Sequence, residues 1–350
     1  MKFTEYILEP RELIRKRVES FFLEKKNEDL PKIFKEQKLL EKLETFLIRG
    51  KLVRGSLFIL TAKMLGLKIT PELIDIACGI ELMHSSLLVQ DDVIDRDYTR
   101  RGEKTVFAKF EDQGKELKAY DPYHYGVSSA FVVADVAFFF AIELIANLEN
   151  KKINELLRYY SHEIYLVAIS ESVDSLFGQT DREPTEEDIF AVYLYKTARY
   201  TFSLPFEMAS IVAGKEKIQK KLGELGEKMG IIYQLRDDEL GIFGDEKETG
   251  KPVGSDIREN KKTYIRYLLF ASASLDDRKV LADCFGNSSR IDSLTKVKTL
   301  YSKYKIDEKV NVKISSLAKE SGTLIKSLSI SDEFENFLYS LLEFNLNRKK

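Results

Sequence analysis

Two clusters of carboxylates are the residues whose types and spacing could bind a metal ion. In the first, Asp91-Asp92-Val93-Ile94-Asp95, the outer aspartates lie four residues apart and therefore share one face of a helix. The second, Asp237-Asp238, also follows an apolar run. A lone cluster of this kind is as often a solvated helix end. Two of them, with oxygen ligands and no neighbouring His or Cys, favour hard Mg²⁺ whose coordination is completed by phosphate oxygens.

Basic residues flank both clusters and predict a site for a diphosphate. They are Lys51, Arg54, Arg100, Arg101, Lys196, Lys251 and Lys261. Taken singly, each is typical of a solvated surface, since lysines and arginines are mostly exposed. A metal combined with Arg and Lys binds a diphosphate and stabilises the charge on it as it leaves. The sequence contains no GxxxxGK[ST] loop, which argues against phosphate binding in the P-loop manner.

The composition indicates a globular chain without an overall field for polyanions. Of 350 residues, 44% are hydrophobic and 32% charged, and 55 Lys+Arg against 57 Asp+Glu leave a net charge of -2. That balance argues against nucleic acid or an anionic membrane as a partner. The two cysteines, Cys78 and Cys284, lack the spacing of a metal site and the density of a disulfide framework. We therefore expect buried thiols in a cytoplasmic protein.

The elements that must position these residues are helices. Apolar residues recur at intervals of three and four after Thr70-Pro71, a typical helix start, and the first acidic cluster closes this segment. Strand-type alternation is hard to find, which predicts an all-α chain. Further helices are predicted at about 10–26, 33–48, 54–66, 128–149, 152–177, 185–213, 216–240 and 261–285.

One segment, 128–148, is apolar enough to raise the question of a membrane span. It carries Asp135 and Glu143 on one helical face, each costing roughly 2.5 to 3.5 kcal/mol at a bilayer centre, which favours a buried core helix. The first residues, MKFTEYILEPREL, place acids where a signal peptide needs an apolar core. We therefore expect no transmembrane segment. At the other end of the sequence, we expect Arg348-Lys349-Lys350 to be a solvated tail.

Taken in order, the motifs resemble those of the trans-polyprenyl diphosphate synthases, the farnesyl and geranylgeranyl diphosphate synthase family. The matching elements are GKLVR, ELMHSSLLVQDDVID with TRRG, YKTA, YQLRDDELGIFGD and GKPVGSDIRENKKT, over about residues 50–265. As an ordered set they are highly specific. The resemblance implies an all-α isoprenoid synthase type helical bundle around a central cavity, in a homodimer. Residues 1–350 would form one domain, with the helices of 266–350 packed on the motif-bearing core.

The resemblance also implies an activity and a set of site residues. The activity is the condensation of isopentenyl diphosphate with an allylic prenyl diphosphate by ionisation, condensation and elimination. Mg²⁺, three ions per active site, would be held by Asp91, Asp95, Asp237 and Asp238, with Asp92 in support. The residues implied for the allylic diphosphate are Arg100, Lys196, Lys251 and Lys261. Those implied for isopentenyl diphosphate are Lys51, Arg54, His84 and Arg101. The residues whose oxygens would face the allylic cation are Lys196, Thr197 and Gln234.

The residue types agree with this chemistry independently of the resemblance. Ionising an allylic diphosphate needs a metal and cations at the leaving group, and the final proton can go to the departed diphosphate. No histidine base is needed, which fits a chain with three histidines, of which only His84 lies in a motif. Outside that motif, His84 would be interpreted as a hydrogen-bonded core histidine.

Three positions depart from the family pattern. Gly241 stands where many relatives have a third aspartate, and Gln90 stands where many have a histidine. In FGQTDR, Arg182 takes the place of an expected aspartate, with Asp181 one residue early. These departures keep open a non-catalytic subunit of a heteromeric synthase or a purely structural bundle.

A class I terpene cyclase or another prenyltransferase is the alternative among enzymes, because it shares the first acidic motif. Such an enzyme has no need of a second diphosphate pocket. Lys51, Arg54 and Arg101 therefore favour a condensing enzyme.

Product length is expected to depend on the helix that carries Asp91. Leu87, Ser86 and Met83 precede Asp91 by four, five and eight residues, about one and two turns below it. In the family an aromatic residue near this point stops growth at farnesyl length, and Ser86 is small. We therefore predict geranylgeranyl diphosphate as the product. Farnesyl-geranyl or longer products, and a shorter farnesyl product, are the alternatives.

Overall fold

Helices make up most of the structure, a computed structural model that describes residues 1–149, 151–244, 253–286 and 292–348. Within these ranges the only strands are β1 (Thr99–Arg100) and β2 (Glu103–Lys104), an antiparallel pair. The all-α class predicted from the sequence is confirmed.

All other regular elements of the described residues are helical. In chain order they are α1 (Phe3–Tyr6), α2 (Leu8–Lys26), α3 (Lys32–Glu36), α4 (Leu39–Ile48), α5 (Val53–Met64), α6 (Pro71–Ile94), α7 (Val106–Glu116), α8 (Pro122–Ala146), α9 (Ile153–Gln179), α10 (Glu186–Val192), the π-helix π1 (Tyr193–Ser203), α11 (Leu204–Val212), α12 (Glu216–Phe243), α13 (Ser255–Arg258), α14 (Tyr264–Ser272), α15 (Leu275–Cys284), α16 (Ser293–Lys303), α17 (Ile306–Ser327) and α18 (Asp332–Leu346).

The structure divides three of the predicted helices. The segment 33–48 forms two helices, because Lys38 takes a left-handed conformation with φ of 51° between α3 and α4. The segment 261–285 is interrupted at Ala273, whose ψ of 147° is extended. The segment 185–213 runs as α10, π1 and α11. Apolar periodicity identified these helical segments without locating their breaks.

The chain forms two compact units, each with its own buried core. The N-terminal unit consists of Thr4–Tyr159 and Met208–Glu216, and the C-terminal unit consists of Met1–Phe3, Tyr160–Glu207 and Lys217–Lys350. The first acidic cluster lies in the N-terminal unit, and the second lies in the C-terminal unit.

In the N-terminal unit, α6 is the central helix. It begins as predicted, with Thr70 at the N-cap position and Pro71 in the first turn, although the Thr70 side chain makes no capping hydrogen bond. Helices α2, α5 and α8 pack against it. A helix buried on so many sides keeps one orientation, so its C-terminal turn presents the acidic cluster from a fixed position.

Helix α8 is long and apolar enough to cross a membrane, and among the described residues it is the only helix that meets this criterion. In the structure it packs on α6 and α7. Its residues Ala130, Ala134, Ala137 and Ala141 are fully buried. This packing agrees with the core helix predicted for 128–148.

In the C-terminal unit, glycines let α12 approach π1 closely. A Cβ on Gly230 would lie 2.3 Å from the Ala198 Cα, and a Cβ on Gly226 would lie 2.6 Å from the Ser203 backbone nitrogen. Real Cβ atoms cannot approach backbone this closely, so these positions require glycine. The close approach sets the distance between the two helices that carry Gln234 and Thr197.

Candidate active site

The first acidic cluster closes α6, where a neighbouring arginine already bonds it. Asp91 and Asp92 lie in the last turn, and Asp95 is the C-cap residue. The β-hairpin brings Arg100 back onto them, with Nη2 donating to Asp91 Oδ2 at 2.8 Å and Nε donating to Asp92 Oδ1 at 2.5 Å. Arg100, predicted to contact the allylic diphosphate, thus also bonds the predicted metal site. The first acidic cluster thus presents one guanidinium bonded to two carboxylates.

The charges of this cluster depend on one another. Asp92 is 1% exposed, and its Oδ2 atom is buried without a hydrogen-bond partner in the described structure. Burial raises the pKa of Asp92 to about 7, although the Arg100 guanidinium opposes the rise. Burial disfavours the Arg100 charge, but Asp91 and Asp92 outweigh it and raise the pKa of Arg100. Arg100 therefore stays charged.

A second group of side chains gathers earlier on α6, around a buried carboxylate that sequence reasoning missed. Glu81 accepts a hydrogen bond from the Gly55 backbone nitrogen at 2.7 Å. Burial raises the pKa of Glu81, while Gly55, Arg54 and Arg101 act to lower it. The structure thus brings Arg54 and Arg101 to the same buried acid. Its position three residues before His84 in ELMH was the available sequence signal.

His84 belongs to this group as a neutral ring. Burial lowers the pKa of His84 well below its ordinary value, and Arg54 and Arg101 lower it further. The same surroundings lower the pKa of Arg101, through burial and then through Arg100. A histidine held neutral between arginines can hydrogen-bond a phosphate but is poorly suited to accept a proton.

Lys51 lies at the edge of this group. It is exposed, two residues before α5. The neighbouring Gly50 position is 3.5 Å from Arg101 Nη1, measured from an ideal Cβ. The structure therefore brings Arg54, His84 and Arg101 together and places Lys51 in the adjoining loop.

The second acidic cluster lies near the end of α12, where its two aspartates have different environments. Asp238 is 3% exposed. It accepts hydrogen bonds from Tyr193 Oη and, at 2.9 Å, from Gln234 Nε2. Burial raises the pKa of Asp238 well above its ordinary value, and Asp256 adds to the rise. Asp238 was predicted as a metal ligand, and each of its carboxylate oxygens accepts one of these hydrogen bonds.

Asp237 has a bonded partner that the sequence did not reveal. Its side chain is 48% exposed, and it accepts a hydrogen bond from Arg348 Nη1 at 2.5 Å. The Arg348 side chain is 9% exposed, with its Cζ 3.7 Å from the centre of the Tyr233 ring. The predicted solvated tail is therefore wrong for Arg348, while Lys349 and Lys350 lie outside the described residues. No local pattern connects a C-terminal arginine with an acid 111 residues earlier.

The π-helix π1 holds Lys196 and Thr197. Lys196 Nζ lies 2.9 Å from Glu171 Oε2 and 2.5 Å from Asp174 Oδ2 on α9. Sequence reasoning missed both acids. Two carboxylates hold the ammonium of Lys196 in place, so a diphosphate that binds Lys196 must compete with them or bind alongside them.

Three polar side chains form a connected series within the C-terminal unit. Thr197 Oγ1 donates to Gln234 Oε1 at 2.9 Å, and the amide nitrogen of Gln234 donates to Asp238. The bond to Asp238 therefore sets the amide so that its oxygen points to Thr197.

The remaining predicted residues fall into two cases. Lys261 Nζ lies 3.2 Å from Glu259 Oε2, with the lysine side chain 25% exposed. Lys251 lies outside the described residues. Neither case alters the sequence-based prediction.

The residues predicted to govern product length are buried to different degrees. Ser86 is 2% exposed, and its Oγ donates to the Ala134 carbonyl oxygen of α8 at 2.8 Å. Met83 is 1% exposed, and Leu87 is half-buried. Ser86 is therefore seated against α8.

An all-α fold with two acidic clusters on helix ends and basic residues around them is typical of a class of helical enzymes that act on diphosphates. Comparisons with known proteins agree with this class. Residues 36–304 match the polyprenyl synthetase family model. The chain therefore belongs to the polyprenyl synthetase family. It is a prenyltransferase of the isoprenyl diphosphate synthase type.

Individual relatives show the same relationship. Geranylgeranyl diphosphate synthase of Saccharolobus solfataricus is 30% identical over 279 residues, 78% of this chain and 79% of that protein. Geranylfarnesyl diphosphate synthase of Aeropyrum pernix is 29% identical over 257 residues, 72% of this chain and 75% of that protein. The fold resembles geranylgeranyl pyrophosphate synthase of Corynebacterium glutamicum complexed with isoprenyl diphosphate and magnesium, with a TM-score of 0.91 and 24% identity over 99% of this chain and 100% of that chain.

Proposed function

We propose that the protein condenses isopentenyl diphosphate with an allylic diphosphate in a Mg²⁺-dependent reaction and releases geranylgeranyl diphosphate. The observation that carries this proposal is that two clusters of polar side chains lie along α6. One surrounds His84 and the other contains Asp91. His84 and Asp91 are seven residues apart, two turns, so they share one face about 10 Å from each other. Arg100 bonds Asp91 in one cluster, and the adjacent Arg101 belongs to the cluster around His84. Two anion sites on one helix face suit two diphosphate substrates.

Magnesium fits the first acidic cluster by the chemistry of its donors. All the donors are carboxylate oxygens, and Asp92 offers a buried oxygen without a partner. Among the described residues no group of three or more His, Cys, Asp or Glu is arranged to hold a metal ion. In the N-terminal unit, Asp91 and Asp95 would hold hydrated ions together with substrate oxygens. In the C-terminal unit, Asp237 and Asp238 would hold a further ion, for three ions in all. Bound Mg²⁺ supplies Lewis-acid stabilisation of the leaving diphosphate.

The residues of the chain have separate tasks in this proposal. Arg100, Lys196 and Lys261, with Lys251, bind the allylic diphosphate and stabilise its charge as the C–O bond breaks. Thr197 and Gln234 turn oxygens towards the allylic cation. The carbon–carbon bond then forms to isopentenyl diphosphate, and the departed diphosphate takes the proton that is lost. His84 stays neutral and binds.

Turnover by the purified chain tests the proposal directly. The chain alone, with Mg²⁺, isopentenyl diphosphate and either dimethylallyl, geranyl or farnesyl diphosphate, should form a product that chromatography after dephosphorylation identifies as geranylgeraniol. A terpene cyclase would instead convert an allylic diphosphate alone to a hydrocarbon. A non-catalytic subunit would form neither product.

Removing Arg54 is expected to weaken binding of one substrate selectively. Arg54→Ala should raise the KM for isopentenyl diphosphate by about 30- to 150-fold, because a charged hydrogen bond to phosphate contributes about 2 to 3 kcal/mol. The KM for the allylic substrate should change much less, since Arg100 lies on the other group. Steady-state kinetics with each substrate varied in turn measures the difference, and Arg15→Ala, an exposed arginine of α2, is the control. Equal rises in both constants would remove the assignment of the two sites.

We propose that the protein is a homodimer, because α8 exposes apolar side chains in the single chain. Phe131, Val132 and Phe139 are 43%, 51% and 66% exposed, and their spacing places them on one face of the helix. Phe139→Glu is expected to convert a dimer to a monomer in light scattering coupled to gel filtration. Leu275→Glu, at a site exposed to 76%, should leave the dimer intact. A wild-type monomer would contradict the proposal.

We also propose a cytoplasmic location. Cys78 and Cys284 are buried free thiols, as the sequence predicted. Reduced thiols without disulfides are typical of that compartment.

A further inference from the structure

Helix α5, which carries Arg54 in its first turn, begins without a cap of its own. Its N-cap residue is Leu52, which is left-handed with φ of 50° and makes no side-chain capping hydrogen bond. The first backbone N–H groups of a helix have no partner within that helix. Gly55 lies in this turn and is buried, so water cannot serve as the partner of its N–H group. The partner must come from another element.

That partner is Glu81 of α6. Its Oε1 accepts from the Gly55 backbone nitrogen at 2.7 Å, and the Arg54 backbone adds a second hydrogen bond to the same carboxylate. Glu81 is 2% exposed. An ideal Cβ on Gly55 would lie 3.1 Å from Glu81 Cγ and 2.6 Å from the Ala77 carbonyl oxygen, so only glycine permits this approach. A buried carboxylate of α6 therefore caps α5.

The same carboxylate interacts with two arginine side chains. The charges of Arg54 and Arg101 act to lower the pKa of Glu81, against the effect of burial. Burial and Arg100 lower the pKa of Arg101, and Glu81 is the largest cause that opposes them. Arginines held close together repel each other, and an acid near both reduces that repulsion. Glu81 thus acts on the backbone of α5 and on the charges of the group around His84.

We propose that Glu81 is a positioning residue, which caps α5 from α6 and so holds Arg54 where it binds isopentenyl diphosphate. The inference rests on the proposed function and adds to it a residue that itself touches no substrate. Without the cap, the first turn of α5 would fray and Arg54 would shift. Asp91, ten residues after Glu81 on α6, would stay in place. The loss should therefore affect one substrate and spare the other.

Steady-state kinetics of Glu81→Gln tests this selectivity. Glutamine keeps the size of the side chain but offers a single acceptor oxygen and no charge. The KM for isopentenyl diphosphate should rise about 3- to 30-fold, the range of a lost helix cap, while the KM for the allylic substrate stays near its wild-type value. Asp75→Asn is the matched control, because Asp75 is also a buried acid of α6 but bonds Arg17 and Asn147. It should lower the melting temperature and change neither KM.

A double-mutant cycle tests whether Glu81 acts through Arg54. In the Arg54→Ala background, Glu81→Gln should raise the KM for isopentenyl diphosphate by a much smaller factor, because the side chain that it positions is gone. The same factor in both backgrounds would overturn the proposal. Gly55→Ala disturbs the contact from the side of α5, so it also serves if Glu81→Gln does not fold. An unchanged KM in folded Gly55→Ala would contradict the proposal equally.

Hydrogen exchange of the full chain measures the cap without turnover and separates this inference from the function on which it rests. Glu81→Gln should accelerate exchange of the backbone amides of residues 53–56, and Asp75→Asn should not. If wild-type protein formed no prenyl product but Glu81→Gln accelerated this exchange, the proposed function would fail and the cap would stand. If wild-type protein formed product and Glu81→Gln changed neither exchange nor KM, only the role of Glu81 would fail.

Discussion

Asp91→Ala is expected to abolish Mg²⁺-dependent condensation of isopentenyl diphosphate while leaving the helical fold intact. Asp91 presents its carboxylate on the half-buried end of α6, where it shares Arg100 with Asp92. Without it, Arg100 keeps Asp92 and, at 4.0 Å, Asp97, and a bound metal would lose one of its ligands. We expect a loss of about 10³-fold or more in kcat, larger than that of a single oxyanion donor. Asp237→Ala should be nearly as severe.

The control for this experiment is an acid of the same unit that lies outside the cluster. Asp112 on α7 forms an ion pair with Lys104, so Asp112→Ala removes a carboxylate without touching α6. Circular dichroism and the melting temperature establish that the variants are folded. If folded Asp91→Ala kept near-normal turnover with saturating Mg²⁺, the metal assignment would be wrong.

The fold was predictable because its information is local. The start of α6 at Thr70 and Pro71 and its acidic end both follow from apolar periodicity and cap chemistry, and the structure shows them there. Apolar periodicity does not reveal π1, because a pattern with a period near 3.6 also fits a helix that widens over eleven residues. Glycines 226 and 230, which pack on π1, mark the contact only once the partner helix is known.

For the candidate site, the sequence predicted the residues that lie in the motifs but not their partners elsewhere in the chain. Motif residues such as Arg54, His84 and Arg101 come together as expected in the N-terminal unit. The buried Glu81, which lies near Arg54 and Arg101, was not foreseen. Glu171 and Asp174, which hold Lys196, and Arg348, which holds Asp237, lie far away in sequence. Such partners are set by tertiary packing, and one sequence carries no periodic signal for them.

Product length is expected to depend on where residue 86 can place a larger side chain. Ser86→Phe is expected to shift the major product from geranylgeranyl towards farnesyl diphosphate, and Met83→Ala is expected to lengthen it. Ser86 is already seated on α8 through its bond to Ala134. A phenylalanine must therefore either displace α8 or turn into the path of the growing chain.

Two measurements made together separate these outcomes. Displacement of α8 costs about 1 to 3 kcal/mol as overpacking and lowers the melting temperature without changing the product. Entry into the chain's path shortens the product while stability stays near the wild-type value. Leu87→Phe provides the comparison, because Leu87 is half-buried and lies four residues before Asp91, on the same face of α6. If Leu87→Phe alone shortened the product, the residue that stops chain growth would lie on the Leu87 face of α6. Unchanged chromatograms for all three variants would mean that it lies on another helix.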